Sequence, residues 1–406
     1  MMPKQIKNSS CERVKCMRKK IGMLVYTNPD YYPATANAVH LLAENFDVIL
    51  IGRNQEPSHW KYPSNVTVHR LGAYSSVRER EQMSSIAKLW EYVNFIIQAR
   101  YLLKDVSLIY AYDTFAYTSA YFCRLSLSKL VPLIYQNHEI SEHLSPLSSL
   151  SGWLQRAERK LIHQATIIVF PDKDRATFFQ QVTNIKEQPL IVPNFPLKSI
   201  FNFDLDWNSV ISNRWESIVL FYRGTISDVS AMREIITSAS LIEKKHYIKF
   251  VGFINDNIHQ DLDDLVNNLK INHLFSYLGK LPYKDLQAHT LSATVGFALY
   301  KNTTFDRLAC VTACQKIYEY AACGLPVIVS DFPNYREYLS SESWVRFANP
   351  EDPQSIAEAI KDILSDFENY KAMCLAARQA FEEKFNYEAV FSPLLSEINE
   401  LVGQHQ

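Results

Sequence analysis

Lys316-Ile317-Tyr318-Glu319-Tyr320-Ala321-Ala322-Cys323-Gly324-Leu325-Pro326-Val327-Ile328-Val329-Ser330-Asp331 is the stretch on which the reading of this chain turns. A helix-forming run with one carboxylate ends at Gly324, the residue type that closes helices in the left-handed conformation. It then passes through Pro326 into the β-branched run Val327 to Val329. Helix, cap and buried strand in that order form a unit of an open α/β sheet. In such sheets ligands bind in the crevice beyond the strand ends, so a charged side chain near the start of that helix is a ligand candidate. Glu319 is that side chain. Its two oxygens suit the neighbouring 2′ and 3′ hydroxyls of a ribose, which one carboxylate can bridge with two charge-assisted hydrogen bonds. A glutamate that merely complements the helix N-terminus is the competing reading.

The pattern K-x-x-E-Y-x-A-x-G-x-P-V-I, met by Lys316, Glu319, Tyr320, Ala322, Gly324, Pro326, Val327 and Ile328, resembles the nucleotide-sugar signature of the GT-B glycosyltransferases, especially family 4 (glycosyltransferase group 1). Upstream, Leu278-Gly279-Lys280-Leu281-Pro282-Tyr283 is similar to that family's loop around the nucleotide base. Val295 to Leu299 is similar to the strand before the signature helix, and Asn137-His138-Glu139 and Val192 to Pro196 extend the likeness to the N-terminal half. The resemblance covers nearly all of residues 21 to 406.

The resemblance implies an α/β, GT-B fold: two Rossmann-like domains with a cleft between them. The expected division is a basic, disordered tail over 1–20, an acceptor domain over 21–200, a nucleotide-sugar domain over 201–375, and helices over 376–406 that return to the first domain. It implies a glycosyltransferase of hexosyltransferase type that moves a sugar from a UDP- or GDP-linked donor to a glycan or lipid-linked acceptor in surface polysaccharide biosynthesis. Retention of configuration, no essential metal and no cofactor beyond the donor are part of that expectation. In it Glu319 holds the ribose, Gly279 and Leu281 flank the base, Arg223, Gly224, Thr225 and Lys316 form the phosphate region, and His138 meets the sugar or phosphate. A sugar-nucleotide epimerase of the same architecture, or a catalytically weak nucleotide-sugar-binding homologue, are the alternatives.

The chain departs from the family at the phosphates. The arginine-lysine pair that many relatives place after the first strand of the second domain falls here on Ser230 and Ala231, and the first glutamate of the family's pair is Val311. Arg223, Lys301, Arg307 and Lys316 are the candidates to replace the missing charge, and a helix beginning near Ala231 would aim amides at an anion. Electrostatic stabilisation of a departing diphosphate is the main catalytic term in such chemistry, so the substitutions matter.

Composition agrees with two globular domains: 406 residues, 47% hydrophobic and 21% charged. The longest apolar run, Val106 to Cys123, is interrupted by Asp113 and hydroxyl residues, so no membrane span is expected. The first 20 residues hold seven basic side chains without an apolar core, which points away from a secretion signal and to a cytoplasmic protein at the inner face of the membrane. Seven scattered cysteines fit reduced thiols. Cys310, Cys314 and Cys323 lack the spacing and partners of a metal site. Residues 1–200 carry 24 Lys+Arg against 16 Asp+Glu, and residues 201–406 carry 18 against 27. The basic N-terminal half suits an anionic lipid surface or a lipid-diphosphate acceptor. The pI near 6.8 and the absence of a recognition motif argue against nucleic acid.

Strand-length apolar runs at 21–26, 48–51, 108–112, 131–135, 166–170 and 190–192 alternate with helical periodicity, as do runs at 218–222, 247–251, 274–278, 294–299 and 327–329. A polar segment from Phe203 to Asn213 is the expected connection. Asp113 lies at a strand end on the expected cleft edge, and Tyr31 to Asn37 reads as the first loop. The helix Gly152 to Gln164, with Trp153 beside Arg156, Arg159 and Lys160, is the candidate for peripheral contact with an anionic membrane.

Overall fold

The computed structural model describes residues 18–55, 60–140, 142–301, 305 and 310–404. Two all-parallel sheets carry the fold. The first holds β1 (Lys20–Val25), β2 (Asp47–Arg53), β3 (Val66–Leu71), β4 (Leu108–Tyr112), β5 (Leu133–Gln136), β6 (Ile167–Phe170) and β7 (Leu190–Ile191) in the order β3-β2-β1-β4-β5-β6-β7. The second holds β8 (Ile218–Arg223), β9 (His246–Val251), β10 (Phe275–Tyr277), β11 (Val295–Ala298), β12 (Val327–Ser330) and β13 (Val345–Ala348) in the order β10-β9-β8-β11-β12-β13. Both are doubly wound. The strand order therefore reverses twice, at β1/β4 and at β8/β11, and the crevice beyond the strand ends opens at each reversal.

Central strands are buried on both faces, which is why they read as unbroken apolar runs: β1, β4, β8 and β12 are almost wholly buried. The edge strands β3 and β13 escaped that signal. β3 is Val-Thr-Val-His-Arg-Leu with only partial burial, because an edge strand needs one covered face at most.

The signature helix spans Gln315–Ala322, and its end is a Schellman motif. Gly324 has φ +57°, its N–H donates to Ala321 O at 2.8 Å, and Leu325 N–H reaches back to Tyr320 O at 2.9 Å. The remaining carbonyls of this helix end meet buried arginines. Arg214 donates to Cys323 O and Gly324 O, each at 2.7 Å, and Arg378 donates to Ala322 O. Gly296 in β11 lets the helix pack closely, since a Cβ there would lie 2.7 Å from the Tyr320 ring.

Several expectations are corrected. Lys20 belongs to β1, and Lys19 Nζ donates to Val402 O at 2.6 Å, so the stretch assigned to a tail ends before them; residues 1–17 lie outside the described residues. The polar connection at Phe203 to Asn213 is largely the helix Trp207–Glu216, which buries Ile211 and Arg214. The boundary at 375/376 falls inside the helix Phe367–Glu383, whose Tyr370, Met373, Ala377 and Phe381 all pack in the second domain's core. The chain crosses back only afterwards. In the helix Tyr387–Gln404, Tyr387, Phe391, Leu394, Ile398 and Val402 join β1 and β2 in the first domain's core.

Candidate active site

Three glycines end three neighbouring strands of the second sheet. Gly224 follows β8 with φ +123°, Gly252 follows β9 with φ +149°, and Gly279 lies just past β10 with φ +67°. Gly224 N–H donates to Val251 O and Gly252 N–H to Gly279 O, both at 2.9 Å, so the strand ladder continues into a lip bare of side chains. A Cβ on Gly252 would sit 1.8 Å from Gly224 O, which excludes any other residue.

Lys316, in the first turn of the signature helix, reaches this lip. Its ammonium donates to Tyr222 Oη at 3.0 Å, lies 4.2 Å from the Tyr222 ring centroid and 5.0 Å from that of Tyr300, and would meet a Gly224 Cβ at 2.9 Å. Lys316 therefore stands at the β8/β11 reversal. Thr225 is exposed beside it, and its carbonyl accepts from Tyr222 Oη at 2.9 Å.

Glu319 is buried one turn further on. Its Oε2 pairs with Arg223 Nη2 at 2.7 Å, and its Oε1 accepts from Tyr283 Oη at 2.7 Å and Gln315 Nε2 at 3.3 Å. A carboxylate has about four lone-pair sites, and three are engaged here. The structure thus places Glu319 against Arg223 and the base-loop tyrosine. Arg223 is a matched charge, and so is Lys301, which pairs with Glu234 at 2.8 Å. Arg307 lies outside the described residues. Of the candidate cations within the described residues, Arg223, Lys301 and Lys316, Lys316 is the one without a carboxylate partner. Near the base loop, Leu281 packs partly on the core, and the Tyr283 ring lies 5.8 Å from Trp60 of the first domain.

From the first domain, His138 faces the cleft on the loop after β5. Its ring lies between Tyr32 and Tyr112, with centroids 4.9 Å away on both sides, and Tyr110 extends the stack 5.0 Å beyond Tyr112. Nε2 is 3.0 Å from Thr35 Oγ1, while Nδ1 is buried without a partner. Burial and the nearby Arg175 charge push its pKa down to about 3, so the ring is neutral at physiological pH and acts as a hydrogen-bonding group. Asp113, held at φ +59°, accepts the His138 N–H at 2.6 Å. Burial raises the Asp113 pKa to about 7.

Arg175 was not singled out from the sequence. It is 4% exposed and donates to His138 O at 2.5 Å. Its helix, Lys173–Thr183, is capped by Asp172, whose other oxygen lies 2.8 Å from Thr312 Oγ1 of the second domain. Thr312 thus latches the second domain to the first, three residues before the signature helix begins at Gln315. At the neighbouring position Val311 is buried and offers no carboxylate to the cleft.

Of these parts, Lys316, His138 and Arg175 meet in one cavity of about 270 Å³ between the domains, lined by Tyr32, His138, Glu139 and Arg175 on one side and by Tyr300, Gln315 and Lys316 on the other, while Glu319, Arg223, Thr225 and the glycines are not part of its lining. Cys310 and Cys314 also line it. Among the described residues no cluster of His, Cys, Asp or Glu has the makeup of a metal site.

Residues 210–380 match the family model of glycosyl transferases group 1. The chain carries a group 1 glycosyltransferase domain. An uncharacterized glycosyltransferase of Methanocaldococcus jannaschii is 23% identical over 224 residues, 51% of this chain and 55% of the relative, so the alignment spans about half the length of that curated relative. The whole chain superposes on sucrose-phosphate synthase from Thermosynechococcus elongatus with a TM-score of 0.72 at 15% identity, over 95% of this chain and 100% of that one. Against HepE of Anabaena, crystallised with UDP and glucose, the TM-score is 0.68 at 14% identity over 94% and 100%. The chain has the GT-B fold, with the cavity at the meeting of its two domains.

The membrane-facing candidate Gly152 to Gln164 forms the helix Leu150–Leu161, which buries Leu154 and leaves Trp153 exposed; its Arg156 donates to the carbonyls of Ser145 and Gly152. No helix among the described residues is long and apolar enough to cross a membrane.

Proposed function

We propose that this glycosyltransferase moves a hexosyl group from a nucleoside diphosphate sugar to a glycan or lipid-linked acceptor held by the first domain, with retention and without a metal. The observation that carries the reading is the unmatched Lys316 ammonium at the glycine lip, facing His138 and Arg175 across the cavity. A diphosphate leaving group needs positive charge at that place, and Lys316 with Arg175 supplies it from both domains. The lip lets phosphate oxygens approach backbone, and neutral His138 lines the cavity with a buried, unpartnered Nδ1 that a sugar hydroxyl reaches once Tyr32 moves off the ring. Closing the latched domains over the cavity excludes water from the departing diphosphate.

In this reading the ribose reaches Glu319 by taking the place of Tyr283 Oη or Gln315 Nε2, and the base loop moves with it. UDP is the first nucleotide to try, because the HepE structure holds it. The test is thermal stabilisation by UDP, GDP and CMP, followed by incubation with a panel of nucleotide sugars and a membrane lipid extract. Sugar appearing on glycan or lipid supports transfer. If no nucleotide shifts the melting temperature, the reading fails. Tight binding without product favours the catalytically weak homologue, a reading supported by Ala231, which is buried and apolar, and by Val311.

A further inference from the structure

The helix Ser85–Leu102 is apolar on two opposite faces. Inward, Tyr92, Phe95 and Ala99 join the first domain's core. Outward, Ile86, Leu89, Trp90, Val93, Ile97 and Tyr101 are all exposed, Ile86 at 81%, Trp90 at 70% and Tyr101 at 71%. At about 100° per residue these six fall within an arc of about 120°, one continuous stripe along the helix. A helix on a domain surface needs a single apolar stripe to dock on its own core. A second one, left in water along five turns, marks a face that something else covers.

The charges around the stripe say what covers it. Arg100 lies on the same edge as Leu89, and Lys104 follows at the C-terminal end, where it shares a small cavity with Lys129. Asp105, 4.0 Å from Lys104, is the acid nearby. Glu91, the one carboxylate within the helix, turns inward to Arg53 at 2.6 Å. The arc therefore holds six apolar side chains and one cation, Arg100 beside Leu89, and no acid. On its other edge lie Trp90 and Tyr101, whose rings combine an apolar body with a polar tip.

We propose that this stripe lays the first domain onto an anionic bilayer surface, with the helix parallel to the membrane plane. The six apolar side chains enter the boundary between headgroups and acyl chains, Trp90 and Tyr101 sit at headgroup level, and Arg100 and Lys104 pair with lipid phosphates. A second copy of the chain fits less well, because a stripe docked on itself gives Arg100 no carboxylate to meet. The inference concerns the outer face of the first domain and stands apart from the donor chemistry.

The test is co-sedimentation of the full chain with phosphatidylcholine vesicles, with and without about a third phosphatidylglycerol. Binding is expected to the anionic vesicles, weakening as salt is raised. The double variant Trp90→Glu/Ile97→Glu is expected to lose about tenfold or more of that binding at an unchanged melting temperature. Arg100→Glu, a single change at the exposed edge, keeps the test open should the double variant misfold, and it is expected to weaken binding to anionic vesicles. No sedimentation with either vesicle, or equal binding by the variants, overturns the proposal. So does a dimer in sedimentation velocity that the double variant turns into monomers, since that assigns the stripe to a second copy.

Discussion

Arg223 and Glu319 form an ion pair with both side chains almost fully buried, and this changes how the signature carboxylate has to be tested. Removing one partner leaves the other charge in low dielectric without compensation, which typically costs about 3–5 kcal/mol. Glu319→Ala is therefore expected to lower stability by that order in urea or thermal unfolding, with or without nucleotide. Glu319→Gln keeps an acceptor for Tyr283 and a smaller loss, so its nucleotide-induced shift in melting temperature is the cleaner readout of ribose contact. Lys316 differs, since its ammonium rests on rings and a hydroxyl and balances no buried carboxylate. Lys316→Ala is expected to cut transfer about a hundredfold, as loss of a charge-stabilising donor does, while shifting the melting temperature little. A variant that transfers sugar at the parental rate removes Lys316 from the mechanism.

At the scale of elements, the signature helix is held at its end by the Schellman turn and by two arginines, so the position of Lys316 and Glu319 depends on Gly324. A Cβ there would adopt φ +57° and lie 3.1 Å from both Cys374 O and the Trp207 ring. Gly324→Ala is expected to cost about 1–2 kcal/mol from the left-handed backbone alone, measured by denaturant unfolding at unchanged slope. Gly252→Ala has no room at all beside Gly224 O. Its expected result is loss of nucleotide-induced stabilisation through a disrupted lip, and retention of a full-sized shift would show that the lip does not touch the nucleotide.

At the scale of the molecule, buried titratable groups of the first domain set opposing pH dependences. Asp113 and Glu158 are raised by burial from 3.8 and 4.5 to about 7, so the folded state holds their protons and their contribution declines as pH rises from about 4 to about 7. His138 is lowered from 6.5 to about 3, so its contribution is intact above 6.5 and declines as pH falls from 6.5 towards 3. Among these three groups, two raised carboxyls outweigh one lowered imidazole, a net gain of stability on going from pH 7 to pH 5; burial also raises Asp174, which adds to that gain, and lowers His40, which subtracts from it. Asp113→Asn is expected to shrink that gain in melting temperature, and an unchanged profile would remove Asp113 as a cause. The Thr312 latch to Asp172 holds the cavity between the domains at this same scale. Thr312→Val, which keeps volume and removes the hydroxyl, is expected to weaken donor binding by a few fold without altering either sheet.

Fold class and the signature helix were legible because buried parallel strands are apolar without interruption and because a glycine-proline turn after a short helix has few other uses. Lys316 and Glu319 were singled out as candidates for the same reason, by their offset from that turn. The edge strands were not legible, since partial burial lets a strand carry Thr, His and Arg. Nor was the state of the site's charges. Sequence spacing places Arg223 and Glu319 nearly a hundred residues apart, and only the closing of β8 against the signature helix brings them within 2.7 Å, so that the cation expected at the phosphates is spent on a carboxylate. Arg175 and the exposed face of Ser85–Leu102 were hidden likewise. A pattern shows which residues share a side of an element, but which side meets core, cleft or water is settled by long-range packing alone.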